Sequence, residues 1–157
     1  MSDVTLARAL HVLAVVHWIG GVALVTLVLL PAITRQAAPA ARLALFEAIE
    51  GRFARQARVS VTLAGLTGFY MTHRLQAWGR FLDPGAWWMH AMLLVWLVFT
   101  VVLFVAEPLF LHAWFHRRAE REPEAAFALV QRAHGVLLAA SAVAVAAAVL
   151  GAHGLLH

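Results

Sequence analysis

The chain has 157 residues, of which 63% are hydrophobic and only 13% are charged. A soluble domain is roughly half apolar and about a quarter charged, so this composition excludes a soluble globular protein and a disordered chain. A membrane-spanning helix needs about 20 apolar residues, so the length accommodates about four spans and no second domain. The chain contains no cysteine, which excludes disulfides, thiolate ligands and covalently attached c-type haem.

The first two predicted spans are joined by a charged helix. An apolar run over residues 6–30 is long enough to cross a bilayer while tilted. Over residues 35–58, apolar residues recur at helical spacing beside charged ones, which predicts an amphipathic helix that leads directly into a second span over 53–73. Because that span begins with Arg55 and Arg58, we expect both side chains to extend towards the interface.

The second half of the chain repeats the pattern of apolar runs separated by polar segments. Asp83, Pro84 and Gly85 mark a break, after which a third span is predicted over 86–111. A fourth span, dominated by alanine, is predicted over 134–153. The predicted fold is therefore an all-α integral membrane four-helix bundle with an amphipathic cytoplasmic helix before span two.

The distribution of arginine predicts the orientation in the membrane. Cytoplasmic connections are enriched in basic residues, and the two long connections hold nine arginines against three on the other side. We therefore predict that both long connections lie in the cytoplasm and both termini in the periplasm, that the net charge reflects this topology, and that nucleic acid is not a partner. The nine are Arg35, Arg42, Arg52, Arg55, Arg58, Arg117, Arg118, Arg121 and Arg132, and the three are Arg8, Arg74 and Arg80.

Histidines within the spans are the first candidates for a functional site, because burying an ionisable group in a membrane is costly. By helical rise, His11 and His90 each lie about 8 Å inside the outer ends of spans one and three. His73 and His153 lie near the outer ends of spans two and four, so each helix offers one histidine to the outer half. His17 lies alone near the middle of the bilayer.

A second and weaker histidine cluster is predicted on the inner side. His112 and His116 are four residues apart and share a helix face, and His134 begins span four at a similar depth, with Glu107 nearby. Neighbouring arginines disfavour a bound cation, so an interfacial role is preferred here over a second haem or a metal ion. His157 is expected to be an interfacial residue.

Imidazoles that face one another across a helical bundle suit haem b. His11 and His90 are the leading axial pair, and His73, His153 and His17 are further cofactor-binding candidates. Arg8 and Arg74 are expected to meet the haem propionates.

Copper is the alternative cofactor. It would use the same imidazoles, and soft thioether ligands are available. The chain would then handle or transport copper through a relay of histidine and methionine, and the methionines concerned are Met71, Met89 and Met92.

Two short motifs carry a resemblance to a known superfamily. Ala-Leu-His-Val at 9–12 with Trp-Ile-Gly-Gly at 18–21 resembles the first span of the superfamily of CopD-like copper-resistance membrane proteins and HemJ-type protoporphyrinogen oxidases. Trp-Met-His-Ala-Met at 88–92 resembles the HemJ-type pattern Trp-Leu-His-Val-Lys. The resemblance implies a b-type haem protein of the inner membrane with His11 as the functional histidine of the first span. Met92 replaces the functional lysine of the HemJ type, which argues against protoporphyrinogen oxidase activity.

The sequence thus predicts a membrane haem protein that transfers electrons or carries out a redox reaction on a quinone, a porphyrin or an oxygen species. The copper-handling protein is the alternative, and a purely structural membrane subunit comes third. Whether the chain is an oxidoreductase in its own right and whether it forms a homo-oligomer stay open at this point.

Overall fold

A computed structural model describes residues 3–155, apart from the side chains of Pro39 and Ala40. Over these residues the chain is helical and contains no strand, which confirms the all-α prediction. Helices α1 to α4 are Asp3–Gln36, Pro39–Arg74, Pro84–Arg121 and Pro123–Ala152. We call the end with the α1–α2 and α3–α4 connections the inner end, and the opposite end the outer end.

Three of these helices, α1, α3 and α4, are long and apolar enough to cross a membrane. This confirms the prediction of a helical membrane protein in a lipid bilayer. Helix α2 differs because acidic and basic residues continue along its first half, including Glu47, Glu50, Arg52, Arg55 and Arg58. The predicted amphipathic helix and second span form one continuous helix of 36 residues.

Two helices extend beyond their predicted spans at the inner end. Helix α3 continues through His112–Arg121, and α4 begins at Pro123, well before residue 134. Proline fits the first turn of a helix, because the N–H it lacks would have no intrahelical partner there. At the outer end, a 3₁₀ helix over Ala77–Leu82 connects α2 to α3.

An aromatic cluster holds the inner end together. Phe46 of α2, Phe115 of α3 and Phe127 of α4 are all buried, and their rings meet edge to face with centroids 5.5–5.7 Å apart. Nearer the middle, Trp18 of α1 packs edge to face on Phe99 of α3 at 4.8 Å. Such pairs contribute about 1 kcal/mol each beyond the area they bury.

Helices α1 and α3 each contain a π-helical segment associated with a proline. The first is Val25–Leu29, just before Pro31, and the second is Val102–Leu111, which contains Pro108. In a π turn, the N–H of one residue bonds to the carbonyl five residues earlier. A proline has no N–H, so the carbonyl five residues before it is left without its partner in the helix.

In α1, the carbonyl left over is that of Thr26, five residues before Pro31. The side chain of Gln131 on α4 donates from Nε2 to this oxygen at 2.7 Å. Thr26 itself is buried, at 2% exposure. An unsatisfied polar group in hydrocarbon costs several kcal/mol, so Gln131 replaces a bond that the helix cannot make.

In α3, the corresponding carbonyl is that of Leu103, five residues before Pro108. Arg58 of α2 donates from Nε to this oxygen at 3.0 Å and also forms an ion pair with Glu107. The expectation that Arg58 extends to the interface is therefore wrong, because its guanidinium is directed at α3. Arg55, one turn away on α2, is exposed, as expected.

We expect Gln131→Leu to lower the free energy of unfolding in detergent by about 1 kcal/mol, because Thr26 loses its donor. In a Pro31→Ala background the loss should be smaller, since residue 31 then offers its own N–H. Thermal unfolding of the unsubstituted protein, the two single variants and the double variant measures the difference. Gln56→Leu, which replaces an exposed glutamine on α2, is the control. Equal losses in both backgrounds would contradict this account.

Candidate functional site

A cavity of about 380 Å³ lies among all four helices at the outer end. Its volume is within the range of about 300–1,000 Å³ that small-molecule sites occupy. Most of its lining is aliphatic or aromatic. The polar and thioether side chains in the lining are Arg8, His11, Met71, Thr72, Arg80, Met89, Met92 and Ser141.

His11 is held in the cavity wall by hydrogen bonds to α2. Its Nδ1 lies 2.9 Å from the carbonyl oxygen of Ala64 and 3.1 Å from the hydroxyl of Thr67. A carbonyl oxygen only accepts hydrogen bonds, so Nδ1 carries the proton and Nε2 keeps its lone pair. Gly68 allows this close approach, since a Cβ there would lie 3.3 Å from Cε1 of His11.

Two arginines, Arg8 and Arg80, line the same cavity. Arg74 is instead engaged in an ion pair with Asp3 at 2.7 Å, and Tyr70 donates to the same carboxylate at 2.7 Å. Sequence reasoning did not single out Arg80, because it lies in the 3₁₀ connection, where helical periodicity gives no register. The only signal available was its place among the three outer arginines.

His90 does not line the cavity. It is exposed, its Nε2 donates to the carbonyl of Phe81 at 3.1 Å, and its ring packs edge to face on Phe81. Met89 and Met92 on the same helix do line the cavity. The structure therefore does not bring His11 and His90 together in the cavity. Successive residues of a helix are rotated by about 100° about its axis, so the face of α3 that carries Met89 and Met92 points into the cavity while His90 points away from it.

The three other histidines predicted as cofactor ligands also lie outside the lining. His73 and His153 are exposed at the outer ends of α2 and α4, and Nδ1 of His153 donates to the carbonyl of Val149 at 2.7 Å. His17 has its Nδ1 3.0 Å from the hydroxyl of Ser60 on α2. These positions suit interfacial and helix-packing roles.

The inner histidines are also dispersed. His116 has one ring nitrogen 3.1 Å from Glu47 and the other 3.1 Å from Glu120. His134 donates from Nδ1 to the carbonyl of its own helix at Val130, at 3.0 Å, and His112 is exposed. Over residues 3–155, no three histidine, aspartate or glutamate side chains are placed to hold a metal ion. His157 lies outside the described residues.

Small residues in the spans mostly accommodate aromatic rings of the protein itself. A Cβ at Gly21 would overlap the ring of Phe53, and one at Gly65 would lie 2.6 Å from the ring of Trp96. Trp96 in turn donates from Nε1 to the carbonyl of Val61 at 2.9 Å. These glycines therefore set the spacing of the helices around the cavity.

Comparisons with family profiles, with curated proteins and with solved structures give no match.

We expect neutral His11 to carry its proton on Nδ1, because the carbonyl of Ala64 can only accept a hydrogen bond. Nitrogen chemical shifts of ¹⁵N-histidine-labelled protein at neutral pH distinguish the two tautomers, and His11→Asn identifies the signal. Thr67→Val should leave the tautomer unchanged, since the Ala64 carbonyl remains. A proton on Nε2 in the unsubstituted protein would show that this nitrogen is not free to bind a ligand.

Proposed function

We propose that the protein binds haem b in the outer cavity and transfers electrons within the membrane. The observation that carries the proposal is the orientation of His11, whose Nε2 keeps a free lone pair in the wall of an apolar cavity. Haem iron takes an imidazole as axial ligand. Electron exchange with a membrane-soluble quinone or porphyrin is part of this proposal.

The residues around the cavity fit haem b by their chemistry. The apolar lining suits the faces of the macrocycle, and Arg8 and Arg80 offer guanidinium groups for the two propionates. Bound haem supplies a reversible one-electron iron couple, and the low polarity of the lining would influence its potential. Thr67 and the Ala64 carbonyl orient the imidazole of His11 and increase its basicity.

We propose that Met92 would hold the haem together with His11, since its thioether lines the cavity from α3 whereas His90 does not. Imidazole and thioether together are an established set of haem ligands. His90 is the competing ligand. It would have to give up its hydrogen bond to Phe81 and change its orientation before reaching the cavity.

We expect His11→Ala to lose most of the bound haem, because the proposed axial nitrogen is removed. Met92→Leu should keep haem but convert it to a high-spin or five-coordinate form, and His90→Ala should keep the spectrum of the unsubstituted protein. Absorption spectra and haem content of the purified variants measure this. Retention of haem by His11→Ala and its loss from His90→Ala would refute the assignment, and a protein that never acquires a Soret band would refute haem binding.

A copper-handling protein is the second candidate, favoured by one observation. Three thioether side chains line the same cavity as His11, and sulfur ligands select Cu(I) over harder metals. In this case the cavity would bind Cu(I) stoichiometrically without haem. Its binding would be lost with His11→Ala and weakened by leucine at any of the three methionines, which are Met71, Met89 and Met92.

We further propose that α2 crosses the membrane with the other three helices, giving four spans and both termini in the periplasm of a bacterial inner membrane. Helix α2 is 36 residues long and lies along α1, with which it makes the most extensive contacts of any pair of helices described. Nine arginines fall within residues 35–58 and 117–132, which flank or contain the two inner connections, against three elsewhere; this bias favours the cytoplasm for the inner end.

Reporter fusions test this topology. We expect a reporter that is active only in the periplasm to work when fused after His157 and to fail when inserted at Ala38, in the connection between α1 and α2. A reporter active only in the cytoplasm should give the opposite pattern. Cytoplasmic activity at His157 with periplasmic activity at Ala38 would reverse the orientation. Activity on the same side at both positions would exclude a span formed by α2, since α2, α3 and α4 lie between the two positions and α3 and α4 alone return the chain to the same side.

A further inference from the structure

Helix α3 joins two packed regions through a segment with little burial. Its outer part carries Trp88 and Met89, which are buried beside the cavity, and its inner part carries Phe115 of the aromatic cluster. Between them, none of the ten residues of the π segment Val102–Leu111 is fully buried, although Leu103 packs against Trp18 and Phe99. Pro108 interrupts the backbone ladder in this segment, so little burial and a missing backbone hydrogen bond coincide there.

One side chain compensates for the interruption. Arg58 donates from Nε to the carbonyl of Leu103 and pairs through its terminal nitrogen with Glu107, the residue before the proline. Both contacts are made across the helix interface, from α2 to α3. A single guanidinium thus holds both sides of the turn that Pro108 weakens.

We propose that Pro108 makes α3 a hinge, and that Arg58 is the latch that, together with the aromatic cluster and the contact of His116 with Glu47, holds the inner part of the helix in its observed position. Proline and π segments are the usual places at which helices bend. Release of the latch would let the part of α3 beyond the hinge, which includes His112–Arg121, move against α2. The outer part and the cavity would stay in place.

The absence of cysteine allows spin labels to be placed without removing native thiols. Labels at Ala48 on α2 and Ala113 on α3 report on the inner part, and labels at Thr62 and Leu97 report on the outer part. All four residues are exposed. Pulsed electron resonance measures both distance distributions in the full chain in liposomes, and it does not require the proposed haem.

We expect Arg58→Gln to broaden or shift the inner distance by on the order of one helical pitch, about 5 Å, and to leave the outer distance unchanged. Pro108→Ala combined with Arg58→Gln should restore the narrow inner distribution, since residue 108 regains an N–H. Arg55→Gln, an exposed arginine on the same helix, is the matched control. An unchanged inner distance in Arg58→Gln, or equal changes in both pairs, would overturn the hinge.

A further variant keeps the test decisive if Arg58→Gln folds poorly. Glu107→Gln should move the inner distance in the same direction but less, because the bond from Arg58 to Leu103 remains. An inner distance that stays unchanged in Glu107→Gln, in a protein that folds, would refute the role of the ion pair in the latch.

Discussion

The bonding of backbone carbonyls in a membrane is the constraint on which much of this structure depends. Water cannot satisfy a carbonyl in hydrocarbon, so each proline in a span creates a demand for a donor from elsewhere. The carbonyl of Thr26 accepts a hydrogen bond from Gln131, and the carbonyl of Leu103 accepts one from Arg58; both donors come from neighbouring helices. These two polar side chains are therefore positioned by the backbone of a partner helix.

The same constraint sets the tautomer of three histidines. His11, His134 and His153 each use Nδ1 to donate to a carbonyl oxygen, which leaves Nε2 as the nitrogen with a lone pair. His134 and His153 are bonded to their own helices, whereas His11 is bonded to α2 and lines the cavity. What distinguishes His11 is thus a hydrogen bond to a neighbouring helix combined with a place in the lining of an apolar cavity.

Composition and periodicity were sufficient to predict an all-helical membrane protein, because hydropathy and helical rise depend on sequence alone. They were not sufficient for the site. Helical rise gives the depth of His90 but not the direction in which it points, and direction is set by packing against Phe81. Which of Arg74 and Arg80 lines the cavity could not be predicted either, because Arg74 is held by an ion pair with Asp3, which is distant in sequence. Long-range pairing of this kind has no local signal.

The pairing of α1 with α2 has a consequence for how the protein enters the membrane during synthesis. Helix α2 is not among the three helices that composition alone qualifies as spans, so as an isolated segment it would partition poorly into lipid. Its hydroxyl groups at Ser60 and Thr67 are matched by His17 and His11 of the preceding helix. If α2 crosses the bilayer as proposed, the two helices would leave the insertion machinery together as a hairpin, each concealing the polar atoms of the other from lipid.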